Sequence, residues 1–218
     1  MGKYTTRPIT KSEFNTIVTT IKNGFTSIDG KTVRGNNRIA TVLVTQANCG
    51  MRIGDILNLT MDKIEVVGNK MYLNLLEQKT GKKRTFQIED RLYYALRKYA
   101  DNNNIADNRL LFPITRRAVQ KVLKQCCDML GYKNVSTHSF RKYYALNWYE
   151  KTNHDINRVM HLLQHTNITR TQLYLNIQFS DNDAMLKLTS TGIDLIEYII
   201  YIRQYIAHIA YIKAYFYI

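Results

Sequence analysis

The hydrophobic period of this chain changes twice, and that constrains its fold more than any other feature. Apolar residues recur at helical spacing up to residue 59, alternate between residues 63 and 88, and then return to helical spacing. The middle stretch reads IEVV, a Gly68-Asn69 turn, MYLNLLEQ, a second turn over residues 79–82, and RTFQI. That is the pattern of a three-stranded antiparallel meander. A period of two and a period of 3.6 cannot exchange places, because each lines up a different set of side chains. The expected fold is therefore mainly α with one small three-stranded antiparallel sheet, an α+β domain. With 10 glycines and 2 prolines in 218 residues, about half the average usage, collagen-like, linker-like and turn-rich all-β architectures are excluded.

The helices have recognisable ends. Thr10 to Glu13 has capping-box spacing, and Phe14, Ile17, Val18 and Ile21 follow on one face until Asn23-Gly24. Residues 25–37 read as a polar, basic loop. A second helix is expected over 37–48, and a short amphipathic segment over 51–59 turns Ile53, Ile56, Leu57 and Leu59 inward. After the meander, helices are expected over about 89–103, 115–130, 138–151, 155–163 and 168–177, with no internal repeat and no linker before about residue 180. Residues 193–218 differ: they are nearly all Ile, Tyr and Ala, with Asp194, Glu197, Arg203 and Lys213 among them. The length suits a bilayer, but charges at several depths argue against a span. A helix that docks on a partner or on the core is the better reading, and a low-complexity extension is the other.

The balance of 31 Lys and Arg against 17 Asp and Glu, a net charge of +14, speaks to partners. Nucleic acid phosphate is the commonest such partner and an anionic membrane surface the rival. The N-terminus lacks the apolar run of a secretory signal, and its loose myristoylation pattern (Gly2, Thr6) is short enough to arise by chance. Cys49, Cys126 and Cys127 form no metal pattern and cannot all pair within the chain, which suggests a reducing, cytoplasmic setting. Cys126 and Cys127, within VLKQCCDML, read as core.

Chemistry concentrates in residues 137–174. His138 and Arg141 are i and i+3, so both leave one face of a helix. His165 and Tyr174 flank a short loop and a helix start. Arginine grips two phosphate oxygens bidentately, histidine moves a proton, and a tyrosine relieved of its proton can attack phosphorus. Each signal has a plain rival. An isolated HxxR pair is usually solvated or satisfied in a core, and Tyr174 is one of 16 tyrosines. Arg52, taken alone, reads more readily as a surface charge opening a helix. Lys79 competes with Lys82, Lys83 and Arg84 in one basic hairpin. His154 and His161 are alternatives to His165, although His161, in VMHLL, reads as a packing residue.

Together these residues resemble the catalytic domain of the tyrosine site-specific recombinases, the phage-integrase family. That family's pattern is an Arg in a Gly-Leu-Arg-Ile-x-Glu-Leu segment, a Lys in a β-hairpin, His-x-x-Arg, a His or Trp, and the Tyr nucleophile. This chain has Gly50-Met51-Arg52-Ile53-Gly54-Asp55-Ile56-Leu57, Lys79 in QKTGKK, His138-Ser139-Phe140-Arg141, Leu163-Gln164-His165, and Tyr174 in RTQLYL. Order, local context and intervals agree over about residues 8–180. Three departures stand out: Gln164 where the family usually has Gly, Asp55 for the usual Glu, and Lys142-Tyr143 for the usual His-Thr.

The resemblance implies that Arg52 and Arg141 bracket a scissile phosphate and that Lys79 protonates the leaving 5′-oxygen. It implies that His138 accepts or shuttles a proton, that His165 donates to the phosphate, and that Tyr174 forms a 3′-phosphotyrosyl bond. No metal, ATP or other cofactor is then required, because the arginines supply the positive charge. The implied partner is double-stranded DNA, with protomers assembling on it as a homo-oligomer, a tetrameric synapse, and no membrane involved. Residues 115–117 open a helix that in the family approaches the major groove, so Arg116, Arg117 and Lys121 are candidate DNA contacts. Arg34, Lys82, Lys83, Arg84 and Lys142 are candidate phosphate contacts, the plain alternative being a solvated basic face. The expected organisation is a catalytic domain over 1–180 and a helical tail over 181–218. Residues 181–188 or the Ile/Tyr stretch would dock into a neighbouring protomer. Family members commonly carry a further N-terminal domain that clamps DNA. Only nine residues precede Thr10, which reads as a minimal enzyme or a catalytic fragment.

Overall fold

The structure, a computed structural model, describes residues 6–78, 81 and 83–175. Lys79, Lys82 and the tail from residue 176 onward lie outside the described residues. Eight α-helices and five strands occur among the described residues: α1 (Lys11–Asn23), β1 (Gly24–Thr26), β2 (Thr32–Arg34), α2 (Asn37–Cys49), α3 (Ile53–Leu57), β3 (Ile64–Val67), β4 (Lys70–Leu76), β5 (Lys83–Ile88), α4 (Asp90–Asn102), α5 (Arg116–Met129), α6 (Thr137–Lys151), α7 (Ile156–Leu163) and α8 (Ile168–Leu175).

The expected capping box forms: the Thr10 hydroxyl accepts from Glu13 N, and the Glu13 carboxylate accepts from Thr10 N. α2 is the central helix. Ile39, Ala40, Val42, Leu43, Thr45, Gln46, Ala47 and Cys49 are all buried, so it is covered nearly all round, as a helix inside a domain must be. α1 and α6 pack against it. Each fully buried Ile or Leu here contributes on the order of 1.5–3 kcal/mol, which makes α2 a rigid base for the corner at its C-terminal end. Cys49, Cys126 and Cys127 are buried free thiols.

The meander is present as β3-β4-β5, antiparallel throughout, with Leu73 opposite both Ile64 and Phe86. It is not the only sheet. β1 and β2 form a two-stranded antiparallel ribbon, with Phe25 opposite Val33, inside the stretch expected to be loop. Its residues are exposed or half-buried throughout, so no alternation of apolar side chains marks it, and backbone pairing alone defines it.

Two chain reversals place the site. Gly50 caps α2 with φ 59°, and a Cβ there would fall 2.1 Å from the Tyr144 ring, so the chain turns tightly under α6 and delivers Arg52 at the start of α3. Farther on, α7 packs on α6, and α8 on both, which brings the α7–α8 junction over the first turns of α6.

Candidate active site

Arg52, His138 and Arg141 line one cavity of about 510 Å³, together with Asp55, Gln78 and Arg116. Arg52 is the N-cap residue of α3, and His138 and Arg141 stand on one face of the first turns of α6, as their spacing requires. A second cavity of about 370 Å³ shares His138 and is lined by Lys142, Arg170 and Tyr174. His138 thus stands between the arginine pair and the tyrosine.

The arginines are held from behind. Arg52 Nη1 donates to Glu77 Oε2 at 2.5 Å, and Glu77, at the end of β4, is fully buried. Arg141 is 3 % exposed. Its Nη2 donates to Leu163 O at 2.9 Å, while Nη1 has no hydrogen-bond partner among the described residues. Arg84 is buried as well, 3.7 Å from Glu77, with its guanidinium over the Phe86 ring and Nη2 donating to Leu162 O. Two guanidinium groups therefore cap consecutive carbonyls at the C-terminus of α7, where the helix dipole favours cations.

Tyr174 Oη is buried and has no hydrogen-bond partner among the described residues. Burial pushes the phenol up to about 12, with Arg141 and then Arg52 pulling the other way. The His165 ring meets the Tyr174 ring edge to face, centroids 5.2 Å apart, and its Nδ1 lies 3.1 Å from Thr171 Oγ1. Desolvation, with the charges of Arg141, Arg52 and Arg170, holds His165 down at about 4. His138 is lowered too, by the protein packed around it and then by Arg141, Arg116, Lys142 and Arg52. Both imidazoles are thus biased toward the neutral form.

Gln164, the C-cap of α7, takes φ 54° and ψ 40°, left-handed backbone that costs a side-chain-bearing residue about 1–2 kcal/mol. His165 follows directly, its backbone N–H donating to Met160 O. The turn that glycine usually makes is therefore present with glutamine in it.

The remaining candidates divide. Lys83, Arg116, Arg117, Lys121 and Arg34 are exposed, and Arg116 reaches the cavity wall beside Gly54. Arg84 and Lys142 do not lie on a solvated basic face. Each is 6 % exposed, Arg84 turned toward Glu77 and Lys142 placed 5.2 Å over the Tyr174 ring. His161 is exposed rather than packed, as is His154, which pairs with Glu150. Lys79 lies outside the described residues, but its neighbour Gln78 is fixed, N–H to Asp55 Oδ1 at 2.9 Å. Asp55 thereby ties the turn after β4 to the arginine corner. Glu77 went unnoticed in the sequence, where its one signal is a carboxylate closing a strand just before a basic hairpin. Among the described residues, no group of three or more His, Cys, Asp and Glu could hold a metal ion, and no helix is long and apolar enough to cross a membrane.

Comparison with known proteins gives a consistent result. The model of the phage integrase family matches residues 7–181. The probable integrase/recombinase YoeC of Bacillus subtilis is 28 % identical over 160 residues, covering 70 % of this chain and 85 % of that protein. The tyrosine recombinase XerC of Caldanaerobacter subterraneus is 27 % identical over 170 residues, 71 % of this chain and 44 % of that one. This chain thus spans somewhat under half of XerC. Among solved structures, the XerH recombinase bound to its difH substrate superposes with a TM-score of 0.63 at 16 % identity, over 86 % of this chain and 55 % of that one. A lambda integrase dimer bound to a core site gives 0.61 at 18 %, over 83 % and 51 %.

Proposed function

The chain belongs to the phage integrase family, and from that premise we propose that it cleaves and rejoins DNA strands through a covalent 3′-phosphotyrosyl intermediate. One observation carries the reading: Arg141 Nη1 and Tyr174 Oη are both buried without hydrogen-bond partners among the described residues, Arg141 at the cavity that Arg52 and His138 also line and Tyr174 at the second cavity, which shares His138. A scissile phosphate supplies what both atoms lack, acceptor oxygens for the guanidinium and an electrophile for the phenol.

In this reading Arg52 and Arg141 bind the two non-bridging oxygens and stabilise the charge that grows on them in the pentacoordinate transition state, each worth about 10²–10³ in rate. Tyr174 Oη attacks phosphorus as its proton leaves to His138, directly or through water. The P–O5′ bond breaks, and the 5′-oxygen takes a proton from Lys79 on the turn that Asp55 and Gln78 anchor. The reverse attack by a 5′-hydroxyl restores the phosphodiester and releases the tyrosine, so the bond energy is conserved and no ATP is consumed. His165, neutral and braced by Thr171, donates to a phosphate oxygen and orients the nucleophile's ring. The arginines supply the positive charge that a divalent cation supplies in other phosphoryl transfers.

The partner is double-stranded DNA. XerH and lambda integrase were solved on DNA, the latter as a dimer, and the exposed Arg116, Arg117, Lys121 and Lys83 suit phosphates and base edges. Assembly into a tetrameric synapse, docking of residues 181–218 on a neighbouring protomer, a catalytic unit ending near residue 180, and action in the cytoplasm belong to the same reading.

The test uses nicked DNA from the ends of the genetic element that encodes the chain, on which the cleaved flank diffuses away and traps the adduct. A denaturant-resistant protein–DNA species that disappears in Tyr174→Phe is expected. Tight binding with no adduct would overturn the reading in favour of a DNA-binding regulator, and an adduct that persists in Tyr174→Phe would put the nucleophile elsewhere.

A further inference from the structure

Gln164 has no part in the cleavage chemistry. It occupies left-handed backbone that glycine adopts freely and a side chain adopts at a cost. The side chain is nevertheless engaged. Turned so that both groups are satisfied, its amide nitrogen donates to both carboxylate oxygens of Glu77, at 3.2 Å each. Glu77 in turn binds Arg52 Nη1 and lies 3.7 Å from Arg84. The carbonyls just before Gln164 accept from the other arginines, Leu162 O from Arg84 and Leu163 O from Arg141. Residues 162–164 therefore reach all three of these guanidinium groups, two through main-chain oxygens and the third through Glu77.

Arg52 needs such a brace. Its side chain is a quarter exposed, leaves a loop corner rather than the middle of a helix, and has several rotatable bonds. Arg141, by contrast, is enclosed by α6 and α7. Each donor added to a carboxylate narrows its rotation, and the Gln164 amide reaches both oxygens of Glu77. Fixing Glu77 fixes the edge of Arg52 that it binds and leaves the rest of the guanidinium facing the cavity.

We propose that Gln164 is a positioning residue for strand cleavage: through Glu77 it holds Arg52 in register with Arg141 around the scissile phosphate. This rests on the recombinase reading of the site. The left-handed strain of Gln164 is the cost of having an amide at a point in the turn where glycine would be easier.

Two variants separate the amide from the backbone. Gln164→Met keeps the length and the strain but cannot donate, and Gln164→Gly removes amide and strain together. Adduct formation on nicked DNA is followed in single turnovers at saturating DNA, at a temperature where each variant is folded, alongside DNA affinity and thermal unfolding. Both variants are expected to cleave about ten- to a hundred-fold more slowly, the range that a small misplacement of a catalytic group produces, with DNA affinity unchanged. Gln164→Gly should melt higher than Gln164→Met while cleaving no faster. Wild-type cleavage by Gln164→Met overturns the inference, and so does a deficit that vanishes at saturating DNA or tracks the unfolded fraction, since either makes Gln164 merely structural. A wild-type chain that forms no adduct overturns the recombinase reading, and this inference with it. A wild-type adduct with an unimpaired Gln164→Met overturns this inference alone.

Discussion

The His165 ring stands edge-on to the Tyr174 ring, centroids 5.2 Å apart and planes at 83°. Behind it, Thr171 is fully buried and places its hydroxyl 3.1 Å from Nδ1. The start of α8 thus holds the imidazole, and the imidazole holds the phenol, so nucleophile and neighbour are positioned by the same three turns of chain. An edge-to-face pair of this kind contributes about 0.5–1.5 kcal/mol beyond its buried area, enough to favour one orientation of the phenol.

Tyr174→Phe keeps that ring pair and deletes a buried hydroxyl without a partner among the described residues. An unsatisfied buried polar group costs about 1–3 kcal/mol, so the variant should melt at or above the wild-type temperature while losing all adduct formation. Thermal unfolding and denaturing gel electrophoresis check the two halves. A large drop in melting temperature would mean that the hydroxyl is bonded in solution.

Proton linkage at His165 sets the sign of a pH effect. Its pKa falls from 6.5 to about 4 on folding, so between those values the unfolded chain binds more protons than the folded one and stability rises with pH. His138 is shifted the same way. The melting temperature should therefore climb from pH 4 to about 6.5 and then flatten. In His165→Gln the climb should be shallower, since one of its sources is gone. An identical slope in wild type and variant would show that the imidazole titrates normally.

What the sequence revealed and what it hid depend on how each feature is encoded. Helices α1, α4, α5, α7 and α8 and the meander were legible because their buried faces repeat at a fixed period, whereas α2 and α6, buried over most of their circumference, were legible as uninterrupted stretches between breakers, and Thr10 and Gly50 marked ends by capping chemistry. The β1–β2 ribbon was not, because Phe25 and Val33 are only half-buried and their pairing is a backbone matter. Arg52, His138, Arg141, His165 and Tyr174 were found from their order along the chain. Their supports were not. Glu77 and Arg84 meet only once β4, β5 and α7 converge, and nothing local distinguishes an arginine that folds inward from Lys83 beside it. The glutamine at 164 was visible as a departure, but what its amide touches is a tertiary fact.

Gly50 offers a contrast with Gly68, since both have positive φ, 59° and 62°. A Cβ at Gly68 meets nothing within 4 Å, whereas at Gly50 it would overlap the Tyr144 ring. Gly68→Ala should cost only the backbone term, about 1 kcal/mol. Gly50→Ala adds an overpacking term of about 1–3 kcal/mol and displaces the corner that carries Arg52, so cleavage should fall as well. Equal melting temperatures for the two variants would refute the close approach of α6 to this corner.

Arg84 and Arg117 were both candidate phosphate contacts, and the structure separates them. Arg117 is exposed on the first turn of α5. Arg117→Ala should leave stability within about 0.5 kcal/mol and, as one phosphate contact fewer, flatten the salt dependence of DNA binding by about one unit of log–log slope. Arg84 faces inward against Glu77, and removing one partner of a buried ion pair costs about 3–5 kcal/mol. Arg84→Ala should therefore melt far below wild type yet, at a temperature where it is folded, keep the wild-type salt slope. Its cleavage should also slow, because Glu77, bound to Arg52 on its other oxygen, loses a neighbour that helps to hold it. Titrations at several salt concentrations, paired with thermal melts, decide the matter. A flattened slope in Arg84→Ala would mean that this side chain swings outward to meet DNA, and that the buried pair around Glu77 opens when it does.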